Sequence, residues 1–437
     1  MARAIDTAMG RGHPQTRGYR PTLPSNGLRR AVKVIPSAVA VHAPCHPDAE
    51  EWLAPIEEAL ATVFLPALLQ ECREETAAQL RDLLALPVLK AGLGIPNPAK
   101  KAADGYRASI ACTKTLTESL LDRSDLDTVA YNSSVTEART QMRKARTLLG
   151  LAELQMLCNT EEPVISRRMK RAKDNGEGWL NTLPNSLNGT VLSEEEFRDS
   201  LRLRFGLIPL KLPSRCDDCD QAFNVDHAMT CMKGGFILHR HNDVPAEWGE
   251  ICARALEPSA VSNEPHIHHG RDTPQATGNT GAKIDPDLQG DIGVHGFWKC
   301  GVSAIFDIRI TDTDAKSYRG MDPHKVLKSQ EREKKKTYSE ACRNQRRHFT
   351  PLVFSVDGLS GMEATAAIKR VAALRSAKWK RAYSEMCGFI RSRLSIALAR
   401  GLLASICLRG ARDPQLPVFQ RPHLGIGSRL GVSLSVT

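Results

Sequence analysis

Two short apolar segments, each interrupted by aspartate, place the strongest constraint on how this chain can fold. The first spans residues 286–294 and contains Asp287 and Asp291; the second, rich in β-branched residues, spans 304–310 and contains Asp307. Their length and composition predict two β-strands. A carboxylate in an apolar strand is costly unless it is paired or binds a metal. The two segments therefore predict a divalent-cation site between neighbouring carboxylates.

A basic segment with a helical pattern follows these strands. Glu331, Lys335 and Tyr338 are spaced at i, i+4 and i+7, so they share one helix face. A lysine beside two strand aspartates is typical of a metal-dependent phosphodiesterase, where the lysine stabilises charge or orients the attacking water. We expect Lys335, or its neighbour Lys334, to project toward the aspartates. Glu331 would then orient the lysine, and Tyr338 would pack beneath it.

This arrangement resembles the restriction-like endonuclease at the C-terminal end of certain non-LTR retrotransposon polyproteins, a variant of the PD-(D/E)XK nuclease fold. In that family the lysine expected two residues after the second acid is displaced onto a later helix, and here Arg309 occupies that position. The resemblance implies a Mg²⁺-dependent DNA endonuclease, with Asp291 and Asp307 as catalytic metal ligands. The identity of the first catalytic acid stays open, because Asp287 follows Pro286 and so matches the Pro-Asp of the motif literally. We favour Asp291, since "GDIGVHGFW" is closer to the retroelement sequences.

A compact Cys/His set is the strongest local motif of the chain. It reads Cys216-x2-Cys219-x7-His227-x3-Cys231. Thiolate and imidazole ligands at these spacings predict a tetrahedral Zn²⁺ site. Four protein ligands leave no position for a reactive water, so the predicted role is structural. The same CCHC arrangement precedes the endonuclease in the resembled family.

The charge of the chain favours a polyanionic partner. Lysine and arginine number 60 against 49 acidic residues, a net charge of +11, which indicates nucleic acid. From residue 314 to 348 there are eleven lysines and arginines against five acids. This run is either a solvated face or a track for a phosphate backbone. We expect DNA, and RNA of the element, to contact Arg240, His241, Arg332, Lys336, Arg346 and Arg347.

Two further short matches to the family lie before the first aspartate strand. His239, Arg240 and His241 resemble an "RHN" signature, which suggests either a phosphate contact at a helix N-terminus or a polar cap on a surface helix. Glu264-Pro265 matches an "EP" pair of the family. That match implies that Glu264 is a third acidic group near the metal.

The remaining patterns predict an α+β protein: a helical N-terminal half, a small CCHC zinc module, and a C-terminal α/β restriction-endonuclease-like domain with a mixed central sheet. Ser193 with Glu196 predicts a capping box at a helix start. The predicted division is a disordered basic arm (1–30), a helical region resembling the part that follows a reverse-transcriptase polymerase (31–175), a helix plus the CCHC module (176–235), the endonuclease domain (236–410) and a disordered tail (411–437).

Several functions are disfavoured by what the sequence lacks. No Tyr-x-Asp-Asp or comparable carboxylate pair precedes residue 200, so no polymerase site is expected, and a polymerase would come from a longer polyprotein. No uninterrupted run of eighteen apolar residues occurs, so no membrane-spanning helix is expected. Apart from the CCHC set the cysteines are scattered, which favours reduced thiols in the nucleus or cytoplasm.

Two functions remain open at this stage. The first is the Mg²⁺-dependent endonuclease, favoured by the presence of both acids and the lysine helix. The second is a catalytically decayed, zinc-containing nucleic-acid-binding remnant, favoured by the missing polymerase and by Arg309. A protein-interaction scaffold is a weaker third option, because it leaves the basic run unexplained.

Overall fold

The computed structural model describes residues 48–70, 74–160, 163–175, 178–186, 188–231, 233, 236–267, 288–318 and 320–408. The predicted arm at 1–30 and tail at 411–437 lie outside these residues, as does Asp287. The described part combines α-helices with one small mixed sheet, so the predicted α+β class is confirmed.

The first part of the chain is helical. Its helices are α1 (Ala49–Ala59), α2 (Leu65–Leu69), α3 (Glu74–Ala85), α4 (Pro98–Leu121), α5 (Thr128–Thr160), α6 (Pro163–Asn175), α7 (Gly178–Asn181) and α8 (Glu194–Arg204). The predicted capping box opens α8: the Ser193 hydroxyl accepts from the Glu196 backbone N–H, and the Glu196 carboxylate accepts from the Ser193 N–H. This exchange satisfies two N–H groups that a helix start leaves without partners.

The apolar stripe of α1 and α2 is only partly used for packing. Leu65, Leu68 and Leu69 are fully buried in the helical core, whereas Trp52 of α1 is 61% exposed. The segment Ala49–Leu69 is long and apolar enough to cross a membrane by length and composition, a property that a search for uninterrupted apolar runs does not reveal. The same apolar composition is also typical of a helix whose leucines are buried in a protein core, as they are here.

The second part of the chain contains the sheet. Its strands are β1 (Val261–Asn263), β2 (Ile292–His295), β3 (Ser303–Thr311) and β4 (His348–Ser355), in spatial order β1-β2-β3-β4. The first three strands are antiparallel, and β4 is parallel to β3. A parallel pair needs a crossover, which here contains α11 (Pro323–Asn344). The other helices of this part are α9 (Val225–Thr230), α10 (Phe236–Ala255), α12 (Met362–Trp379) and α13 (Tyr383–Leu408).

The alternation of side chains along β3 directs Asp307 toward α11. Phe306 and Ile308 pack with residues of α10, α12 and α13 on one face of the sheet. Ile305, on the opposite face, packs with Cys342 of α11. Because successive strand residues point to opposite faces, Asp307 shares the face of Ile305. The strand therefore presents its aspartate to the basic helix.

Helix α13 is shared by both parts of the molecule. Its Ile396 belongs to the helical core, whereas Leu394 and Leu398 belong to the core beneath the sheet. Leu402, one turn further on, packs against the apolar cluster of the Cys/His module. One helix therefore contributes to three apolar clusters.

A buried arginine also joins α6 to the loops that follow β3 and β4. The Arg171 guanidinium is bidentate on Asp314, with N–O distances of 2.9 and 2.6 Å, and it also donates to Asp357. Burial opposes the charge of Arg171, but its attraction to Asp357 and Asp314 raises its pKa above the ordinary value. Arg167 of α6 also pairs with Asp314, at 2.9 Å, so two arginines from the helical part compensate the charge of the two carboxylates.

We expect Arg171→Met to lower the free energy of unfolding by about 3–5 kcal/mol, because removing one partner of a buried ion pair leaves uncompensated charge. Urea unfolding followed by circular dichroism measures the change. Arg107→Met is the matched control, since Arg107 pairs with Asp104 on the surface, and it should cost less than about 1 kcal/mol. Equal effects of the two substitutions would contradict a role for Arg171 in joining the two parts.

Candidate active site and metal centre

The Cys/His module begins with a tight turn. The Cys216 N–H donates to the Gln221 carbonyl (2.9 Å), and the Asp220 N–H donates to the Cys216 carbonyl (2.8 Å). Asp220 has φ +56°, a conformation that aspartate tolerates better than most residues. The Asn224 side chain accepts from the His227 N–H and caps the start of α9. These local bonds bring the first two cysteines back toward α9.

The four predicted ligands converge, as expected. The Cys219 Sγ lies 3.2 Å from the His227 Nε2 and 3.9 Å from the Cys231 Sγ. All four ligand atoms lie within 4.8 Å of one another, and no other group of three or more such residues occurs in the described part of the chain. Ligands about 2.0–2.3 Å from a tetrahedral ion require separations of this size. This Cys3His set can therefore hold a metal such as zinc.

The surroundings shift two of the cysteine thiols in opposite directions. The Gln221 N–H favours the thiolate of Cys219, but burial and the sulfurs of Cys216 and Cys231 outweigh it, so the pKa of Cys219 is raised. Burial raises the pKa of Cys216, but N–H donors from Asp218 and Cys219 and the His227 ring outweigh it, so the pKa is lowered overall. A lowered pKa favours the thiolate, which is the form that binds metal. The nine cysteines with described side chains are all free thiols, so no disulfide competes for these sulfurs.

Asp307 lies between the sheet and α11. Its side chain is almost fully buried, and its Oδ2 lies 2.6 Å from the Lys334 Nζ. Burial raises the pKa of Asp307, opposed by Lys334 and by a hydrogen bond with Tyr338, while the negative charge of Asp291 adds to the rise. The Tyr338 ring stacks on Phe349 at a centroid distance of 4.9 Å. The Lys334 Nζ lies 5.5 Å from the centroid of the Tyr338 ring. Tyr338 therefore packs beside the lysine, as expected.

Asp291 lies in a bend immediately before β2, next to Asp307. Its N–H donates to the Phe306 carbonyl (2.9 Å), and its carboxylate accepts from the Ile308 N–H. The His241 Nε2 lies 3.4 Å from the Asp291 Oδ2 and 2.9 Å from the Ile308 carbonyl oxygen. The hydrogen bond with Asp291 raises the pKa of His241, although burial opposes it. Of the two neighbouring carboxylates, Asp307 is thus paired with a lysine and Asp291 lies beside a histidine of the same chain.

The neighbouring lysine has a different partner. Lys335 pairs with Glu363 at the start of α12, and the buried Glu331 accepts from the Glu363 backbone N–H at 2.9 Å. These contacts attach α11 to α12. Of the two lysines left open by the sequence, the structure brings Lys334 to Asp307. Glu331 is hydrogen-bonded to α12, whereas the sequence suggested that it orients the catalytic lysine.

Glu264 approaches the site through its backbone. Its N–H donates to the Asp291 carbonyl at 2.8 Å, and its side chain is exposed. Glu264 has φ +46°, so the chain turns sharply beside the aspartate. Within the described residues these three acids do not form a group of convergent ligand atoms. Arg309, at the usual lysine position, pairs with Glu333 of α11 at 3.1 Å.

The predicted nucleic-acid contacts fall into two groups. Arg332, Lys336 and Arg346 are exposed, consistent with contact to a partner. The other two described residues have contacts within the chain, because Arg347 donates to the His266 carbonyl and His241 faces Asp291. Residue 240 lies in α10, but its side chain is outside the described part.

Two contacts at the site were not indicated by the sequence: His241 beside Asp291, and Glu363 beside Lys335. His241 was expected at a phosphate, and its pairing with Asp291, fifty residues away, has no local pattern. Glu363 carried no signal apart from its place near a helix start. No protein-family model matches the chain, and no curated protein matches it. The arrangement of side chains is therefore what the functional assignment rests on.

Proposed function

We propose that this chain is a Mg²⁺-dependent DNA endonuclease of the restriction-like PD-(D/E)XK type, related to the endonucleases of non-LTR retrotransposons. The observation that carries the proposal is the buried Asp307–Lys334 pair beside Asp291. Burying a carboxylate is costly, and an apolar residue would pack at Asp307 without that cost. Retaining two acids and a lysine at one place is understandable if they perform chemistry.

The fold supports this assignment. The resemblance implies a mixed sheet flanked by helices, with the catalytic lysine on a helix after the second acid strand. Here α11 follows β3 directly along the chain and returns Lys334 to Asp307. The same segment holds Arg332 and Lys336, which are exposed and can contact a phosphate backbone.

In the proposed reaction, Asp291 and Asp307 would hold Mg²⁺, which makes a bound water easier to deprotonate and polarises the scissile phosphate. Lys334 would leave Asp307 and donate to a phosphate oxygen, where it offsets the charge that develops during in-line attack. His241 and the Ile308 N–H hold the Asp291 carboxylate in a fixed orientation. Tyr338, stacked on Phe349, limits the volume through which Lys334 moves.

A specific observation favours the second candidate, a catalytically decayed nucleic-acid-binding remnant. Both carboxylates already have partners within the chain, since Asp307 pairs with Lys334 and Asp291 lies beside His241. In that case the Cys3His set would hold a structural zinc, and the exposed face of α11 would bind nucleic acid without cleaving it. The two functions are separated by whether purified protein nicks DNA with any divalent metal.

A plasmid-nicking assay with Mg²⁺ tests the proposal through the two adjacent lysines. Lys334→Met should slow nicking by about 10²–10³-fold, the usual effect of removing one donor that stabilises developing charge. Lys335→Met is the matched control: it loses only the contact with Glu363, so we expect a change below about tenfold. Equal losses would move the catalytic role away from Lys334. DNA binding without nicking, under every divalent metal, would support the remnant instead.

A further inference from the structure

The turn between α12 and α13 presents aromatic and basic side chains together. We call this surface, formed by Lys378, Trp379, Lys380, Arg381 and Tyr383, the aromatic–basic corner. Every residue from 377 to 385 is exposed. Trp379 is 55% exposed and Tyr383 46% exposed. Two large rings are thus in contact with water beside three cations.

The Trp379 ring is exposed but held in place. Its indole N–H donates to the Arg254 carbonyl at 3.2 Å. The guanidinium of Arg375 lies 5.7 Å from its ring centroid and 4.3 Å from that of Phe389. Arg375 is only 8% exposed, and its Nε and Nη1 form no hydrogen bond within the described residues. Because α12 also bonds to the Leu256 carbonyl through Lys378, the ring has a rigid support.

The cations at the corner are available to a partner. Lys380 ends α12 with φ +53°, and it has no ion-pair partner among the described residues. Arg381 and Glu385 are 3.9 Å apart and both are exposed, so their attraction is weak. An exposed, oriented ring beside two exposed cations, Lys380 and Arg381, matches the way in which unpaired nucleic acid is bound, by base stacking and phosphate contact.

We propose that the aromatic–basic corner binds an unpaired nucleic-acid strand, with one base stacked on Trp379, a second on Tyr383, and phosphates contacted by Lys380 and Arg381. Duplex DNA is a poorer partner, because its base faces are already stacked on one another. The site is separate from Asp307 and Lys334 and does not require cleavage, so its test is independent of the nicking assays.

Fluorescence anisotropy with a labelled single strand of about 12 nucleotides, a length typical of such sites, measures the binding. Trp379→Ala should weaken it about tenfold, since the substitution removes the ring on which one base stacks. Trp379→Phe keeps a ring and should stay within about threefold of wild type. Trp52→Ala is the matched control, because Trp52 is equally exposed on α1 beside acidic residues, and it should leave affinity unchanged. The assay is run with a DNA strand and an RNA strand of the same sequence to show which sugar is preferred. A loss of affinity in Trp379→Ala on either strand supports the proposal.

The salt dependence gives a second, independent measurement. The double substitution Lys380→Ala and Arg381→Ala should reduce the slope of log K against log salt by about 1.4, or about 0.7 for each lost phosphate contact on a single strand. Trp379→Ala should leave that slope unchanged. Unaltered single-strand affinity of Trp379→Ala, or an equal loss on duplex and single strand, would overturn the proposal. Thermal unfolding of each variant confirms that the comparison is made between folded proteins.

Discussion

Asp307→Asn is expected to slow plasmid nicking by about 10³-fold or more, equivalent to about 4 kcal/mol of transition-state stabilisation. The substitution keeps the shape of the side chain but removes the charge that would hold Mg²⁺ and that pairs with Lys334. DNA affinity should stay within about twofold, because phosphate contacts from exposed lysines and arginines supply most of it. Nicking assays and salt-dependent binding curves on the same preparations measure the two quantities.

We expect Asp307→Asn to lose activity without losing stability against unfolding. Burial raises the pKa of Asp307, so between its usual and raised pKa the folded state binds more protons than the unfolded state. Stability contributed by this group is therefore present at low pH and decreases as pH rises through that window. A neutral asparagine removes this dependence, while Lys334 keeps access to water. We expect thermal midpoints of wild type and variant to be similar at neutral pH.

Asp312→Asn provides the matched control for this experiment. Asp312 is a half-buried carboxylate whose pKa is also raised, by partial burial and by nearby acids, but its acidic neighbours are Asp314, Asp226 and Asp357. We expect its nicking rate to stay within about threefold of wild type, because no lysine from α11 pairs with it. If Asp307→Asn cuts as fast as wild type, the reaction takes place elsewhere in the chain.

Cys219→Ala is expected to remove bound zinc and to destabilise the Cys/His module. Purified wild type should contain about one zinc per chain, and the variant close to none, because three remaining ligands cannot close the tetrahedron. Structural zinc contributes roughly 10–16 kcal/mol in isolated finger peptides, so losing a ligand should cost several kcal/mol here. Elemental analysis and thermal unfolding measure the two effects.

Cys300→Ala distinguishes loss of a metal ligand from loss of any thiol. Cys300 is exposed and lies outside the Cys3His set, so its substitution should leave zinc content and thermal midpoint unchanged. Wild-type protein purified without chelators and lacking zinc, together with unchanged stability of Cys219→Ala, would contradict the metal assignment.

Elements with strong local patterns could be predicted from the sequence. The strand predicted at 304–310, the helical pattern from Glu331 to Tyr338 and the Ser193 capping box all agree with the structure. The Cys/His ligands span only residues 216–231, so their spacing largely determines their geometry. Local hydrogen bonds and periodicity are sufficient for features of this kind.

The orientation of α11 could not be predicted in the same way. Helical spacing placed Glu331, Lys335 and Tyr338 on one face, but the choice between Lys334 and Lys335 depends on how the helix rotates against the sheet. That rotation follows from packing of Cys342 against Ile305, which is a contact between distant residues. A rotation of one residue, about 100°, is enough to exchange the lysines.

The sharing of α13 by three apolar clusters has a consequence for synthesis on the ribosome. The helical core is complete up to Phe205 but lacks Ile396 until about 190 further residues have emerged. At roughly 5–20 residues per second, this core would wait about 10–40 s for its last member. During that interval the surfaces of α7 and α8 that pack against α13 are uncovered, and nascent chains would be exposed to chaperones and to aggregation. Leu402 is the last residue of the cluster beside Cys231 to be synthesised, so the metal ligands, though close in sequence, lie in a cluster that is completed only after α13 has emerged.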